Sequence, residues 1–143
     1  MTTGNEVDLS VGETIKLMAE DPDVHTIMAY AESVKDGKQF TDALDTARSE
    51  KKPVIFMKVG RSEVGAAAAN SHTASLAGED KVYDEVLRAH GAYRVRSTEE
   101  MLDVAYSTMP RIFPAGKNLG LVTISGGGGV IMACLLYTSP SPR

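Results

Sequence analysis

His72 stands in the small-residue run Asn70-Ser71-His72-Thr73-Ala74-Ser75. An imidazole flanked by small side chains can be approached by a bulky group, and its neutral ring nitrogen is a competent nucleophile near pH 7. Farther along, Ser125-Gly126-Gly127-Gly128-Gly129 follows one apolar run and precedes another, Val130-Ile131-Met132. A glycine turn that opens a helix offers backbone N–H groups to an anion. Together these two features point to phosphate chemistry in which the histidine carries the phosphoryl group. Each also has a plainer reading: a loop histidine bonded to a local carbonyl, and a flexible turn. His25 at a strand start and His90 at a helix end read as structural. Lys58 and Arg61 either attract an anionic substrate or, as surface cations, simply solvate.

The elements that must position these residues follow from periodicity. Ser10-Val11-Gly12-Glu13 has capping-box spacing ahead of a helix that turns Ile15, Leu17 and Met18 inward and stops near Asp21-Pro22. Val24 to Tyr30 reads as a buried strand, with Glu32 just past its end. Gly37 introduces a helix with Phe40, Ala43, Leu44 and Ala47 on one face, and Lys51-Lys52 favour its carboxyl end through the dipole. Pro53 starts the next strand, which leads through Lys58 to Arg61. Ala66 to Ala69 forms a short helix or packed loop. Val82, Tyr83, Val86 and Leu87 mark another helix, closed by His90-Gly91. Tyr93 and Val95 fit a short strand, and Ser97-Thr98-Glu99-Glu100 starts a helix with Met101, Leu102, Val104 and Ala105 inward. Leu119 to Ile124 is again strand-like, and a helix begun at Val130 has only a turn or two before Pro140 and Pro142.

Alternation of this kind predicts an α/β fold, a flavodoxin-like doubly wound parallel sheet, with the truncated start of a second α/β domain. Ligands of such sheets sit outside the carboxyl ends of the strands, where Glu32 and the loop bearing His72 can meet. The expected organisation is a first domain over 1–109, incomplete at its amino end, a linker over 110–118, and the first strand and helix start of the second domain over 119–133. Residues 134–143 read as a non-native tail resembling translated adapter sequence and are assigned no function. The chain as a whole reads as a piece of a longer protein.

Composition narrows the partners. The chain has 143 residues, a formal net charge of −4 and one cysteine. That balance gives no support to a nucleic-acid or membrane-surface partner. A lone cysteine, Cys134, fits a reducing cytoplasm, and the start has no secretory pattern. The longest apolar stretch, Leu119 to Leu136, is interrupted by Ser125 and four glycines, so it does not read as a membrane span.

The segment from Thr3 to Ala133 resembles the succinyl-CoA-synthetase-like region of nucleoside-diphosphate-forming acyl-CoA synthetases, the family of ADP-forming acetate–CoA ligases. The matching words are Thr3-Gly4-Asn5-Glu6-Val7-Asp8-Leu9, Ala19-Glu20-Asp21-Pro22, Lys52-Pro53-Val54, Lys58-Val59-Gly60-Arg61-Ser62, Ser71-His72-Thr73 through Ala77-Gly78, and Ser125-Gly126-Gly127. They stand in the family's order and spacing. The resemblance implies interconversion of acyl-CoA, phosphate and ADP with acid, CoA and ATP, through an acyl phosphate and a phosphohistidine at His72. It implies that Glu32 orients that histidine; beside the imidazole it would raise the ring's pKa. It also implies that Ser125, Gly126, Gly127 and Gly128 hold phosphate. CoA, ATP/ADP and Mg²⁺ are implied for the full-length enzyme, with none bound by this piece. The implied partners are a CoA-binding domain, an ATP-grasp domain, a small carboxylic acid and other subunits of an oligomer.

Two other functions compete. One is a regulatory, CoA-sensing module of a lysine acetyltransferase fusion, against which the presence of His72 argues. The other is a receiver-type signalling domain, which needs a strand-terminal aspartate among further acids. Here the strands end toward Glu32 and Lys58 instead.

Overall fold

The computed structural model describes residues 6, 8–59, 80–116 and 118–138. They fall into two compact units, Met1–Ile112 and Phe113–Arg143. The first unit carries a three-stranded parallel sheet of order β1-β2-β3, built from β1 (Ile27–Ala31), β2 (Val54–Lys58) and β3 (Tyr93–Val95). Register pairs Ile27 with Val54 and Ala31 with Lys58 on one side, and Phe56 with Arg94 on the other.

Helix α1 (Val11–Glu20) begins on the expected capping box: the Glu13 N–H donates to Ser10 Oγ at 3.1 Å, and the Ser10 N–H donates to Glu13 Oε2 at 2.8 Å. Its partner α2 (Gly37–Ser49), capped by Asp36, buries Phe40, Ala43, Leu44 and Ala47 as the period predicts. The two helices approach so closely at Gly12 that a Cβ there would lie 3.2 Å from the backbone N and Cα of Phe40. α1, α2 and α3 (Asp80–Ala89) pack on one sheet face, around Ile15, Ile27, Ala29, Leu44, Phe56 and Leu87. A sequential strand order with right-handed crossovers places connecting helices on a common face. α4 (Thr98–Thr108) lies against β2 and β3, where Ile55 and Val95 are buried, and Thr26 and Thr108 share a hydrogen bond of 2.8 Å.

Helices α2 and α3 end in the same way. Lys51 N–H donates to Arg48 O and Lys52 N–H to Ala47 O; Gly91 N–H donates to Arg88 O and Ala92 N–H to Leu87 O. Both are Schellman closures, which need a left-handed residue in the middle. Gly91 (φ +76°) fits that requirement freely, whereas Lys51 adopts φ +55° with a full side chain.

Several expectations are corrected. The first strand is Ile27–Ala31 rather than 24–30, because Val24 N–H is turned back onto Asp21 O and sheet pairing starts only at Ile27. Leu17, Val82 and Leu102 point outward, being 57%, 56% and 62% exposed. α4 buries none of its residues fully, since one sheet face this small offers it little to cover. In the second unit, Leu119 to Ile124 forms no strand. The described residues of that unit provide no second strand, and an unpaired strand has no partners for its backbone groups. Its helix α5 starts at Gly126, not Val130, and runs to Thr138, so it continues through part of the run assigned to a tail. Apolar side chains on every side of α5 remain largely exposed.

Candidate active site

β1 and β2 end side by side, and this is where the carboxyl edge of the sheet gathers its charges. Ala31 pairs with Lys58, Val59 N–H donates to Ala31 O at 3.1 Å, and Glu32 follows, half-buried. The next turn is tied to α3, since Val34 N–H donates to the Tyr83 hydroxyl at 3.0 Å. Tyr83 in turn lies under the Lys58 ammonium, 5.2 Å from its ring centroid, a cation–π arrangement.

Of the two readings left open for Lys58, the solvated surface cation does not hold. The residue ends a strand on the core face, is 2% exposed, and donates from Nζ to Val59 O. Burial pushes its ammonium below the ordinary lysine range, and the charge of Arg94 adds to that, while Asp80 and Glu32 oppose it. Burial also holds the Tyr83 phenol above its ordinary value.

Arg94 occupies the centre of β3 and faces the same side as Phe56 and Lys58. It donates from Nη1 to Asp80 O at 3.0 Å and to Asp84 Oδ1 at 2.8 Å, and from Nη2 to Asp80 Oδ1. Burial works against its charge, but these two carboxylates outweigh it and hold the guanidinium above its ordinary value. Among the described residues, Arg94 Nε and Glu6 Oε2 are buried without a hydrogen-bond partner. Such groups cost about 1–3 kcal/mol each and tend to mark places kept for something other than stability. Glu6 approaches the same region, since its charge acts on Tyr83.

Of the residues singled out from sequence, Glu32 is thus at the carboxyl edge of the sheet. His72 lies outside the described residues, as do Arg61 and Ala66 to Ala69. His90 has the structural setting expected, with Nδ1 2.7 Å from Asp45 Oδ1, and His25 is exposed ahead of β1. Lys58, singled out from sequence, is linked to Tyr83, Asp80, Asp84 and Arg94, which motif reading did not mark as part of a site. The available signal was an arginine between Tyr93 and Val95 in a strand, where alternation sends it toward a helix-covered face.

The glycine turn belongs to the second unit. Thr123 Oγ1 accepts from Ser125 N–H at 3.1 Å and donates to Ser125 O at 3.0 Å, and Ser125 Oγ receives Gly128 N–H at 3.5 Å. A Cβ at Gly128 would lie 3.0 Å from Thr123 Oγ1, and one at Gly129 would lie 3.2 Å from Thr123 Cγ2. Those two glycines therefore serve the turn itself. A Cβ at Gly126 would meet nothing and one at Gly127 only Ser125 Oγ at 3.7 Å, so their backbone remains open to approach. Among the described residues, no three His, Cys, Asp or Glu side chains converge to hold a metal ion. No described helix is long and apolar enough to cross a membrane.

Comparison with known proteins gives these positions a context. Residues 1–108 match the family described as succinyl-CoA ligase like flavodoxin domain. Over 131 residues the chain is 38% identical to the alpha subunit of an ADP-forming acetate–CoA ligase I of Pyrococcus furiosus, covering 92% of this chain and 28% of that one. Over 141 residues it is 37% identical to an ADP-forming acetate–CoA ligase of Methanocaldococcus jannaschii, covering 96% of this chain and 20% of that one. Among solved structures, an acetyl-coenzyme A synthetase 1 of Ca. Korarchaeum cryptofilum, in complex with phosphate and ADP, superposes with a TM-score of 0.81. It is 34% identical, with 91% of this chain and 28% of that one covered. The chain therefore spans between a fifth and three-tenths of the length of these relatives.

Proposed function

We propose, from the premise that this chain belongs to the succinyl-CoA ligase-like flavodoxin family, that it is the phosphoryl-carrying part of an ADP-forming acid–CoA ligase. The observation that carries this reading is the similarity to acetate–CoA ligases over nine-tenths of the chain, combined with an acidic residue at the carboxyl edge of the sheet. In the whole enzyme, an acyl phosphate made from acyl-CoA and phosphate reaches His72. The ring nitrogen attacks phosphorus, the P–N bond forms, the P–O bond to the acyl group breaks, and the free carboxylate leaves. Glu32 accepts a hydrogen bond from the other ring N–H, which fixes the tautomer and stabilises the cationic phosphorylated ring. Ser125 and the backbone of Gly126, Gly127 and Gly128 hold the phosphate oxygens as the charge shifts. The ring then gives its phosphoryl group to a nucleoside diphosphate and returns to neutrality.

The remaining functions fall to a CoA-binding domain and an ATP-grasp domain, in the same or a partner chain, with Mg²⁺ at the nucleotide. The setting is the cytoplasm, the enzyme is an oligomer, and the acid is a small carboxylate. The relatives compared are ligases and a synthetase, which favours catalysis over a regulatory module.

The test is incubation of the intact parent protein with labelled ATP and Mg²⁺. Acid-labile, alkali-stable label that disappears in His72→Ala is the expected result. Glu32→Gln should slow labelling by about 10²-fold, in the range of a positioned acid–base group. Label that persists in His72→Ala would sink the reading, and an unchanged rate in Glu32→Gln would remove the carboxylate from it.

A further inference from the structure

β1 is an edge strand, with nothing paired to its outer side among the described residues. Ile27 N–H donates to Pro53 O at 2.9 Å, and Ala31 O accepts from Val59 N–H at 3.1 Å, so the odd-numbered residues of β1 direct their backbone groups to β2. Backbone groups alternate in direction along a parallel strand, which turns the N–H and C=O of Met28 and Tyr30 to the open side. The side chains of the same two residues share the α4 face with Ile55 and Val95 and are 49% and 58% exposed. On the other face Ile27, Ala29 and Ala31 are buried.

Such an edge is bare by the usual standards. Sheets protect a free edge with a short strand, a charge, a proline or a bulge. β3, at the far side of the sheet, has the first two, being three residues with Arg94 in the middle. Ile27-Met28-Ala29-Tyr30-Ala31 has none of them, and its register runs unbroken. Parallel sheets are also covered on both faces. α4 covers Ile55 and Val95 and leaves the β1 part of that face open.

The hand of the crossovers gives the direction from which a neighbour comes. α2 carries the chain from β1 to β2 on the face that α1 and α3 share. Right-handed connections on one face advance across a sheet in one direction. α1 packs on that same face and against β1, directly ahead of it in the chain. The strand from which α1 crosses therefore lies on the side of β1 away from β2. The relatives are long enough to hold such a segment, since this chain spans between a fifth and three-tenths of them.

We infer that the open edge and the exposed face of β1 are a docking surface for a parallel strand and a covering apolar helix, both supplied by the parent polypeptide ahead of α1. The strand takes the free backbone groups of Met28 and Tyr30, and the helix covers their side chains beside α4. This inference concerns assembly and is independent of the phosphohistidine reading.

The experiment uses the intact parent protein, where β1 carries its own reference amides. Ile27 and Ala29 N–H face β2 whatever lies beside the edge. Exchange at Met28 and Tyr30 should fall within about tenfold of theirs, as for amides inside one cooperative unit. A photo-cross-linker, Tyr30→p-benzoylphenylalanine, in parent assembled from light and heavy isotope copies identifies the neighbour. Its product should join β1 to a peptide ahead of α1 within the same copy. If that variant does not fold, exchange in the unmodified protein decides. Any of four results would overturn the inference: exchange at Met28 and Tyr30 more than about 100-fold faster than at the reference amides, a cross-link to a peptide beyond α5, a cross-link between light and heavy copies, or no protein product. None of these readouts depends on labelling by ATP, so a failure here is separate from a failure of the histidine reading.

Discussion

Lys58 shows what a single residue type conceals. Its place in a run ending Lys58-Val59-Gly60-Arg61 suggests a basic turn in water, yet strand alternation puts it on the covered face of the sheet. Nothing in composition separates the two cases; register does, and register depends on which residue of β1 begins pairing. A pH dependence follows. With its pKa lowered in the fold by burial, Lys58 carries a cost that is fully present below the folded value. That cost disappears as pH rises toward the unfolded value of about 10.4. Urea unfolding of wild type and Lys58→Met should therefore show wild type gaining stability relative to the variant as pH rises through the alkaline range toward about 10.4. A difference that shrinks or holds constant over that window would contradict the desolvation argument. Glu32, by contrast, was legible, because a polar residue directly after a buried strand must sit at the sheet edge.

Helix caps in the first unit were legible. Ser10 and Ser97 cap the helices that their sequences announce, and Gly91 closes α3 in the left-handed conformation. The closure of α2 was harder to read because Lys51 performs the glycine role. A left-handed non-glycine residue costs about 1–2 kcal/mol. Lys51→Gly should recover part of that and raise stability by about 1 kcal/mol, whereas Gly91→Ala should lower it by about the same amount or more. Chemical denaturation midpoints at constant m-value decide both. Where reading failed, pairing was the reason. Leu119 to Ile124 has strand composition, but a strand is a property of two segments and a single run cannot show its neighbour.

At the scale of the whole molecule, alternation of helix and strand correctly gave a parallel α/β unit, with Glu32 at the carboxyl edge of its sheet. The distribution of apolar surface could not be read so well. Val122 and Ile124 are essentially fully exposed, and Leu119, Val130, Ile131 and Leu135 are more than half so. Exposed apolar side chains of this kind, where they adjoin, promote association. Val122→Lys with Ile124→Lys should therefore change the unfolding free energy by less than about 0.5 kcal/mol per site while reducing light scattering at high protein concentration. Unchanged scattering would show that these two side chains drive no association. One property of the carboxyl edge has a practical side. The chain has no tryptophan and five tyrosines, and Tyr30, Tyr93, Tyr106 and Tyr137 all face solvent. Tyr83 alone is tucked beneath an ammonium and bonded to a backbone amide. Its phenol is therefore a built-in optical probe: absorbance or emission that departs from that of free tyrosine comes chiefly from the rim, and can follow events there without any attached dye.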